Sequence, residues 1–213
     1  MNSSSYTGHS SDKWSSITQG LVDAHPLRNS IVQVVLDSWT ALFTSNIGGL
    51  TIGTEILPAP QITGFLLESL IAHKLSVAHP GAWKRGTSKT EKDVVCLIKD
   101  KDFLSLEIKC SSSGAGVYAN KSYTKIGEGA TKLRDSYYLV VNFQNISNQE
   151  KFPDPKVTKI RFGFLSHGDW KAQASDTGQN ATLSKETKKG KLITLYPLPK
   201  EKSPKPTRKK SGK

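Results

Sequence analysis

Cysteine is scarce: Cys96 and Cys110 are the two in 213 residues. Neither lies near a histidine at zinc-site spacing, and His9, His25, His73, His79 and His167 are scattered, so no structural zinc is expected. A hairpin described below sets Cys96 opposite a residue near Ser105 rather than Cys110. A disulfide is therefore not expected, and an intracellular, cytoplasmic setting fits. Long apolar runs are also missing, which excludes a membrane-spanning helix. The first residues, MNSSSYTGHSSDKW, have no apolar core and do not read as a secretory signal. Gly-rich phosphate loops and Cys/His nucleophile pairs are absent, which disfavours a metabolic enzyme. Acidic residues are few relative to basic ones, 18 against 30, giving a net charge of +12 and a pI near 9.6. Such an excess favours an anionic partner, nucleic acid first and an anionic membrane surface second.

What is present is one domain's worth of chain, with 36% apolar and 23% charged residues. Residues 1–20 read as a disordered leader, 21–196 as a single domain and 197–213 as a disordered, Pro- and Lys-rich tail. A helix is expected over 25–46, from Leu27, Ile31, Val34, Val35, Ser38 and Leu42, with Pro26 in its first turn and Gly48 as its stop. A second is expected from about Thr63, as N-cap, to Ser76, with Phe65, Leu66, Leu70, Ile71 and Leu75 as its apolar stripe. Strands are expected at 136–143, 157–165 and 192–196.

The chemistry centres on residues 93–109. Val94–Ile98 and Phe103–Ile108 are β-type runs around the polar tetrad 99–102, a hairpin pattern. Alternation puts Glu107 and Lys109 on one face and Ile108 on the other, and Asp93 falls across from residues 107–109. Two carboxylates and an ammonium thus converge. Asp93 and Glu107, with the carbonyl of Ile108 as a third oxygen, suit Mg²⁺. Lys109 suits holding or activating a water and offsetting phosphate charge. The pattern D-x13-E-x-K has the form of the PD-(D/E)XK nuclease active site, with Lys92 where a proline would precede Asp93. On spacing alone, a surface hairpin of salt-bridged charges explains it at least as well.

Other candidates carry the same two readings. Glu68, in the second helix, is either a surface carboxylate or one aimed at the metal site. Trp83, Lys84 and Arg85 suit contact with a nucleic-acid backbone, or Trp83 lids the core edge. Ser111, Ser112, Ser113, Asn120, Lys121, Ser122 and Tyr123 offer donors without bulk beside the catalytic face, or form a flexible linker. Arg161 alternates away from Ile160 and Phe162, onto the opposite face, where it is a candidate for contact with DNA. Trp170, Gln173 and Gln179 suit base or sugar contact, or Trp170 docks on the core.

Several stretches, taken in order, resemble one family: ITGFLLESLIAHKL, WKRGTSKTEKDVV, LEIKCSSSGAGVYANKSY, YYLVVNF and IRFGFLSHGDWKAQASDTGQNATL. Together they are similar to the ScaI-like type II restriction endonucleases, over about residues 60–196. The resemblance implies an α/β fold with a mixed central sheet flanked by helices. It implies Asp93, Glu107 and Lys109 as catalytic residues, with Glu68 an accessory carboxylate. It implies a Mg²⁺-dependent homodimer that cuts double-stranded DNA at a short palindromic site, paired functionally with a methyltransferase of the same specificity. A structure-specific nuclease of the same superfamily, such as a junction resolvase or repair enzyme, and a non-catalytic basic nucleic-acid-binding module are the alternatives.

Overall fold

The structure, a computed structural model, describes residues 3–124, 135–174 and 178–197. Three helices come early: α1 (Ser11–Asp23), α2 (Ile31–Phe43) and, after the short strands β1 (Asn46–Ile47) and β2 (Leu50–Thr51), α3 (Pro60–Ala78). Strands β3 (Trp83–Arg85), β4 (Val94–Cys96), β5 (Leu106–Ser111), β6 (Tyr118–Asn120), β7 (Ser136–Phe143) and β8 (Val157–Leu165) follow. The chain continues through β9 (Trp170–Ala172), β10 (Asn180–Leu183), α4 (Lys185–Gly190) and β11 (Ile193–Tyr196).

Six strands form the central sheet in the order β11-β8-β7-β5-β4-β3. Only β5 and β7 run parallel, so the sheet is mixed, as expected. Its centre is β7, buried along its whole length because SYYLVVNF has no strong charge to place in water. One face carries the main core. Leu106, Ile108, Leu139, Val141, Ile160 and Phe162 meet α2 and α3 there, with Val22 of α1. The other face carries a smaller core of Tyr138, Val140, Trp170 and Leu183, roofed by a three-stranded sheet, β6-β10-β9. No helix among the described residues is long and apolar enough to cross a membrane.

Several boundaries move, each for a local reason. The leader is not disordered from 11 onward. In α1, Trp14, Ile17, Thr18, Leu21 and Val22 recur at three- and four-residue steps and dock on the core. Tyr6 Oη meets Thr18 Oγ1 at 2.8 Å, and Thr18 donates to the Gly190 carbonyl at 2.7 Å. Helix α2 begins at Ile31, because residues 25–30 turn around His25 instead. Helix α3 begins earlier than expected, with Pro60 in its first turn, and Thr63 is inside it, donating to the Ala59 carbonyl at 3.2 Å. Of its expected stripe, Ile71 and Leu75 are buried and Leu66 and Leu70 pack against the core, but Phe65 is 64% exposed, and Leu67 and Ala72 complete the buried face. Apolar residues lie on nearly every side of this helix, so periodicity does not select the face. Helix α2 ends at Phe43, short of the expected stop, and Gly48 and Gly49, both at positive φ, close a tight β1–β2 hairpin beyond it. The basic tail, from residue 198 on, lies outside the described residues.

His25 ties the N-terminal turn to the sheet. Its Nδ1 accepts from the Leu27 N–H at 3.2 Å, which places the proton on Nε2, 3.0 Å from the Leu104 carbonyl it donates to. The ring packs on Tyr137, Phe162 and Trp83. Both nitrogens are satisfied only in the neutral ring, and burial lowers its pKa from 6.5 to about 4. Below pH 6.5 the unfolded chain takes up a proton that the folded one refuses. Stability from this group is therefore complete above 6.5 and lost as pH falls toward 4, by about 3 kcal/mol in all. Urea midpoints measured from pH 7.5 to 4.5 should fall across that window, and His25→Gln should flatten that dependence.

Candidate active site

The β3–β4 turn sets Asp93. The Gly86 N–H donates to the Asp93 carbonyl at 3.0 Å, and a Cβ at Gly86 would sit 2.0 Å from the Lys92 carbonyl oxygen, so glycine permits this approach. Glu91 staples the turn: it pairs with Lys84 at 2.5 Å and accepts from the Thr87 and Ser88 N–H groups. The Lys84 ammonium, then these amides, hold the Glu91 carboxyl down at about 2. Strand β4 pairs with β5 at Val94 and Leu106 only, so Asp93 falls opposite Glu107, as the hairpin pattern predicts. The hairpin is shorter than expected: Leu97 and Ile98 are exposed, and Asp102–Leu104 form a 3-10 turn. The Cys96 N–H meets Ser105 Oγ at 2.9 Å and both cysteines are free thiols, which agrees with the predicted pairing.

Alternation along β5 then does the sorting. Leu106 and Ile108 enter the main core, while Glu107 and Lys109 emerge on the opposite face. Asp93 Oδ2 accepts the Ile108 N–H at 2.6 Å. A strand residue's N–H and C=O project to the same edge, so the Ile108 carbonyl also lies on the side of Asp93. Lys109 Nζ donates to Glu107 Oε1 at 2.8 Å, and Tyr123 Oη donates to that same oxygen. Glu68, half-buried on α3, lines the same cleft, about 560 Å³ in volume, with Asp93, Glu107 and Lys109.

Electrostatics lock these groups together. Burial pulls the Lys109 ammonium down, but Glu107, then Tyr123, Asp93 and Glu68, outweigh it and hold its pKa well above the ordinary lysine value. Burial raises the Tyr123 phenol, so it stays a donor at neutral pH. Burial and then Glu68 likewise raise the Cys110 thiol, which lines the cleft but is no nucleophile in this setting. Among the described residues no three His, Cys, Asp or Glu side chains gather as a metal cluster. The fit for an ion therefore rests on Asp93, Glu107, the Ile108 carbonyl and water. Those are the hard oxygens Mg²⁺ favours, and Mg²⁺ keeps several of its waters.

The remaining candidates divide. Asn120, Ser122 and Tyr123 line the cleft. Lys121 is half-buried beside it, its N–H held by the Gln179 carbonyl, while Gln173 and Gln179 are exposed near the small sheet. Ser111, Ser112 and Ser113 are half-buried; Ser111 ends β5 and the other two open a structured turn, the Ser113 carbonyl accepting from Asn142 at 2.7 Å. Arg85 is exposed near Ser69, whereas Lys84 is engaged with Glu91.

Four candidate DNA contacts are buried, and for Trp83 and Trp170 the core alternative holds. Trp83 is 4% exposed and packs beside His25. Trp170, also 4% exposed, fills the smaller core against Tyr123 and Tyr138. Arg161 does alternate away from Phe162, but the 113–116 turn covers that face, and its guanidinium donates to Asn142 Oδ1 at 2.7 Å and to the Ala115 carbonyl. Tyr123 is buried too, so its hydroxyl addresses Glu107. Gln61, Lys89, Tyr118 and Asn180 also line the cleft. The pairing of Asn180 with Asn120 needs the β6–β10 register, which short polar strands do not announce.

A family model described as ScaI restriction endonuclease matches residues 4–196. That match takes in α1 and α2, which lie before the stretches that resemble the family. The type II restriction enzyme ScaI of Streptomyces caespitosus is 36% identical over 201 residues, 91% of this chain and 85% of the relative. No solved structure matches. With that match running from the leader to β11, and with Asp93, Glu107 and Lys109 gathered on one face, the chain belongs to the ScaI restriction endonuclease family.

Proposed function

We propose that this type II restriction endonuclease hydrolyses double-stranded DNA at a short palindromic site, as a Mg²⁺-dependent homodimer working through the cleft of Asp93, Glu107 and Lys109. The observation that carries the reading is the facing of Asp93 and Glu107 across the β4–β5 pairing, with Lys109 on the same side. Bound there, Mg²⁺ would polarise the phosphate and lower the pKa of a coordinated water. Asp93, Glu107 and the Ile108 carbonyl would hold the ion. Lys109, kept charged by its acidic neighbours, would donate to the attacking water and offset charge on the phosphate. Glu68, on α3 and lining the same cleft, would orient a water. Asn120 and Ser122, on the side of the small sheet, would meet the DNA backbone or base edges. A cognate methyltransferase would protect host DNA, and the free cysteines suit an intracellular enzyme.

The roles of Asp93 and Lys109 separate by charge. Asp93→Asn keeps an acceptor for the Ile108 N–H but removes a ligand charge. It should abolish Mg²⁺-dependent cleavage of a plain duplex, yet leave DNA affinity in chelator unchanged or tighter. Lys109→Ala should slow cleavage by roughly a hundred- to a thousandfold and weaken binding in chelator, because a cation beside the phosphate is lost. Ca²⁺ should support binding without turnover. Near wild-type cleavage by Asp93→Asn would place the site elsewhere.

A palindrome is read most simply by a two-fold protein, each subunit cutting one strand. Sedimentation on a short duplex should give two chains per site; one chain per site would refute the dimer.

Lys200, Lys202, Lys205, Arg208, Lys209, Lys210 and Lys213 crowd the C-terminal tail. Truncation after Leu198 should weaken non-specific DNA binding and flatten its salt dependence while site choice survives. A changed cleavage site would assign the tail more than phosphate attraction.

A further inference from the structure

The Tyr123 hydroxyl is buried beside a carboxylate that already has a cationic partner. Glu107 Oε1 receives both Lys109 Nζ, at 2.8 Å, and Tyr123 Oη. These two donors differ in mobility. Lys109 ends a flexible chain at the cleft wall. Tyr123 ends a rigid ring, 7% exposed, set edge-on against Trp170 with centroids 5.3 Å apart. Trp170 in turn packs on Tyr138 of β7, the residue in register with Glu107 itself. The Lys109 ammonium lies 5.2 Å from the centre of the Tyr123 ring, so the aromatic face also bounds where that cation can sit.

If Lys109 is to address a water or a phosphate oxygen, it must give up at least part of its contact with Glu107. The carboxylate would then lose its cationic partner while keeping the neutral one. We infer that Tyr123 is a positioning residue: its hydroxyl, held by Trp170 and the small sheet, fixes the orientation of the Glu107 carboxylate so that it presents to a divalent ion when Lys109 turns to the substrate. Donors to ligating carboxylates orient them, and loss of such a partner costs about 10- to 100-fold in metal affinity or activity. The placement also gives Trp170 a role beyond core filling, since it backs the ring that holds Glu107.

This inference rests on reading Glu107 as a metal ligand, so Glu107→Gln is tested beside Tyr123→Phe. Three measurements are made on the full-length protein: DNA affinity in chelator, the Ca²⁺ concentration at which DNA binding tightens (followed by fluorescence anisotropy), and the Mg²⁺ concentration at half-maximal cleavage. Tyr123→Phe should leave affinity in chelator unchanged, because the hydroxyl faces Glu107 and not the DNA. It should raise the Ca²⁺ and Mg²⁺ midpoints about tenfold or more, and high Mg²⁺ should restore much of the rate. A role confined to packing would leave both midpoints where they are. If Glu107→Gln is inactive while Tyr123→Phe keeps wild-type midpoints, the inference fails and the site stands. If Glu107→Gln cleaves normally, the site itself is misassigned and the inference falls with it. If Tyr123→Phe loses affinity in chelator, the hydroxyl serves the fold or the DNA, and the positioning role is overturned.

Discussion

The alternation of side chains along β5 is the constraint on which the rest of the molecule depends. Six residues, LEIKCS, must satisfy two unlike surroundings at once. Leu106 and Ile108 are fully buried beneath the helices, and burying two such side chains contributes a few kcal/mol. Those same contacts forbid a one-residue slip, which would drive Glu107 and Lys109 into the apolar core. The parallel pairing with β7 and the antiparallel one with β4 at Val94 then fix what faces the two charged groups: Tyr138 from one side and Asp93 from the other. Hydrophobic register, not any direct attraction between the acids, brings two carboxylates together.

Such a site is costly to keep. Glu107 is 2% exposed, and an unpaired buried carboxylate would be strongly destabilising. Lys109 and Tyr123 both donate to it, and the Lys109 ammonium stays charged because it answers several acidic groups rather than one. A second buried pair, Lys191 with Asp169 at 2.8 Å, shows the contrasting, structural use of the same chemistry. Its ammonium is capped by the faces of Tyr6 and Trp14 at 4.3 and 4.5 Å, and Asp169 also caps its own turn through the Ser166 N–H. That pair lies under α1 and knits the N-terminal segment to the C-terminal one.

How much of this was legible in sequence follows the strength of each local signal. Residues 136–143 and 157–165 are apolar over full strand lengths, and both strands match their expected bounds. The facing of Asp93 and Glu107 was legible because period-two alternation and a short connection leave few registers. Helix α1 was hidden by serine and glutamine between its anchors, although Trp14, Ile17, Leu21 and Val22 carry a helical spacing. Trp83, Arg161 and Trp170 were ambiguous for one shared reason. A large amphipathic side chain flanked by polar residues has the same local sequence whether it meets DNA or plugs a core, and only a distant segment decides. For Arg161 that segment is the 113–116 turn, and for Trp170 it is the ring of Tyr123. The role of Tyr123 was invisible on the same ground, because sixteen positions separate it from Glu107.

The distribution of charge adds a last step. The chain as a whole carries +12, yet its cleft gathers Glu68, Asp93 and Glu107 against Lys109 and Lys89. A polyanion is thus attracted by the protein at large and opposed at its centre. On the proposed reading, these two tendencies divide binding from chemistry. Surface cations draw DNA on in any sequence, while the acidic centre resists close approach of the scissile phosphate until a divalent ion reverses the local sign. A basic cleft would bind more tightly without metal but would have no hard ligands to hold the ion. On that reading the acids, Asp93 immediately before β4 and Glu107 on β5, lower affinity at the one place where affinity is least useful, and the hydrophobic register of β5 holds them there.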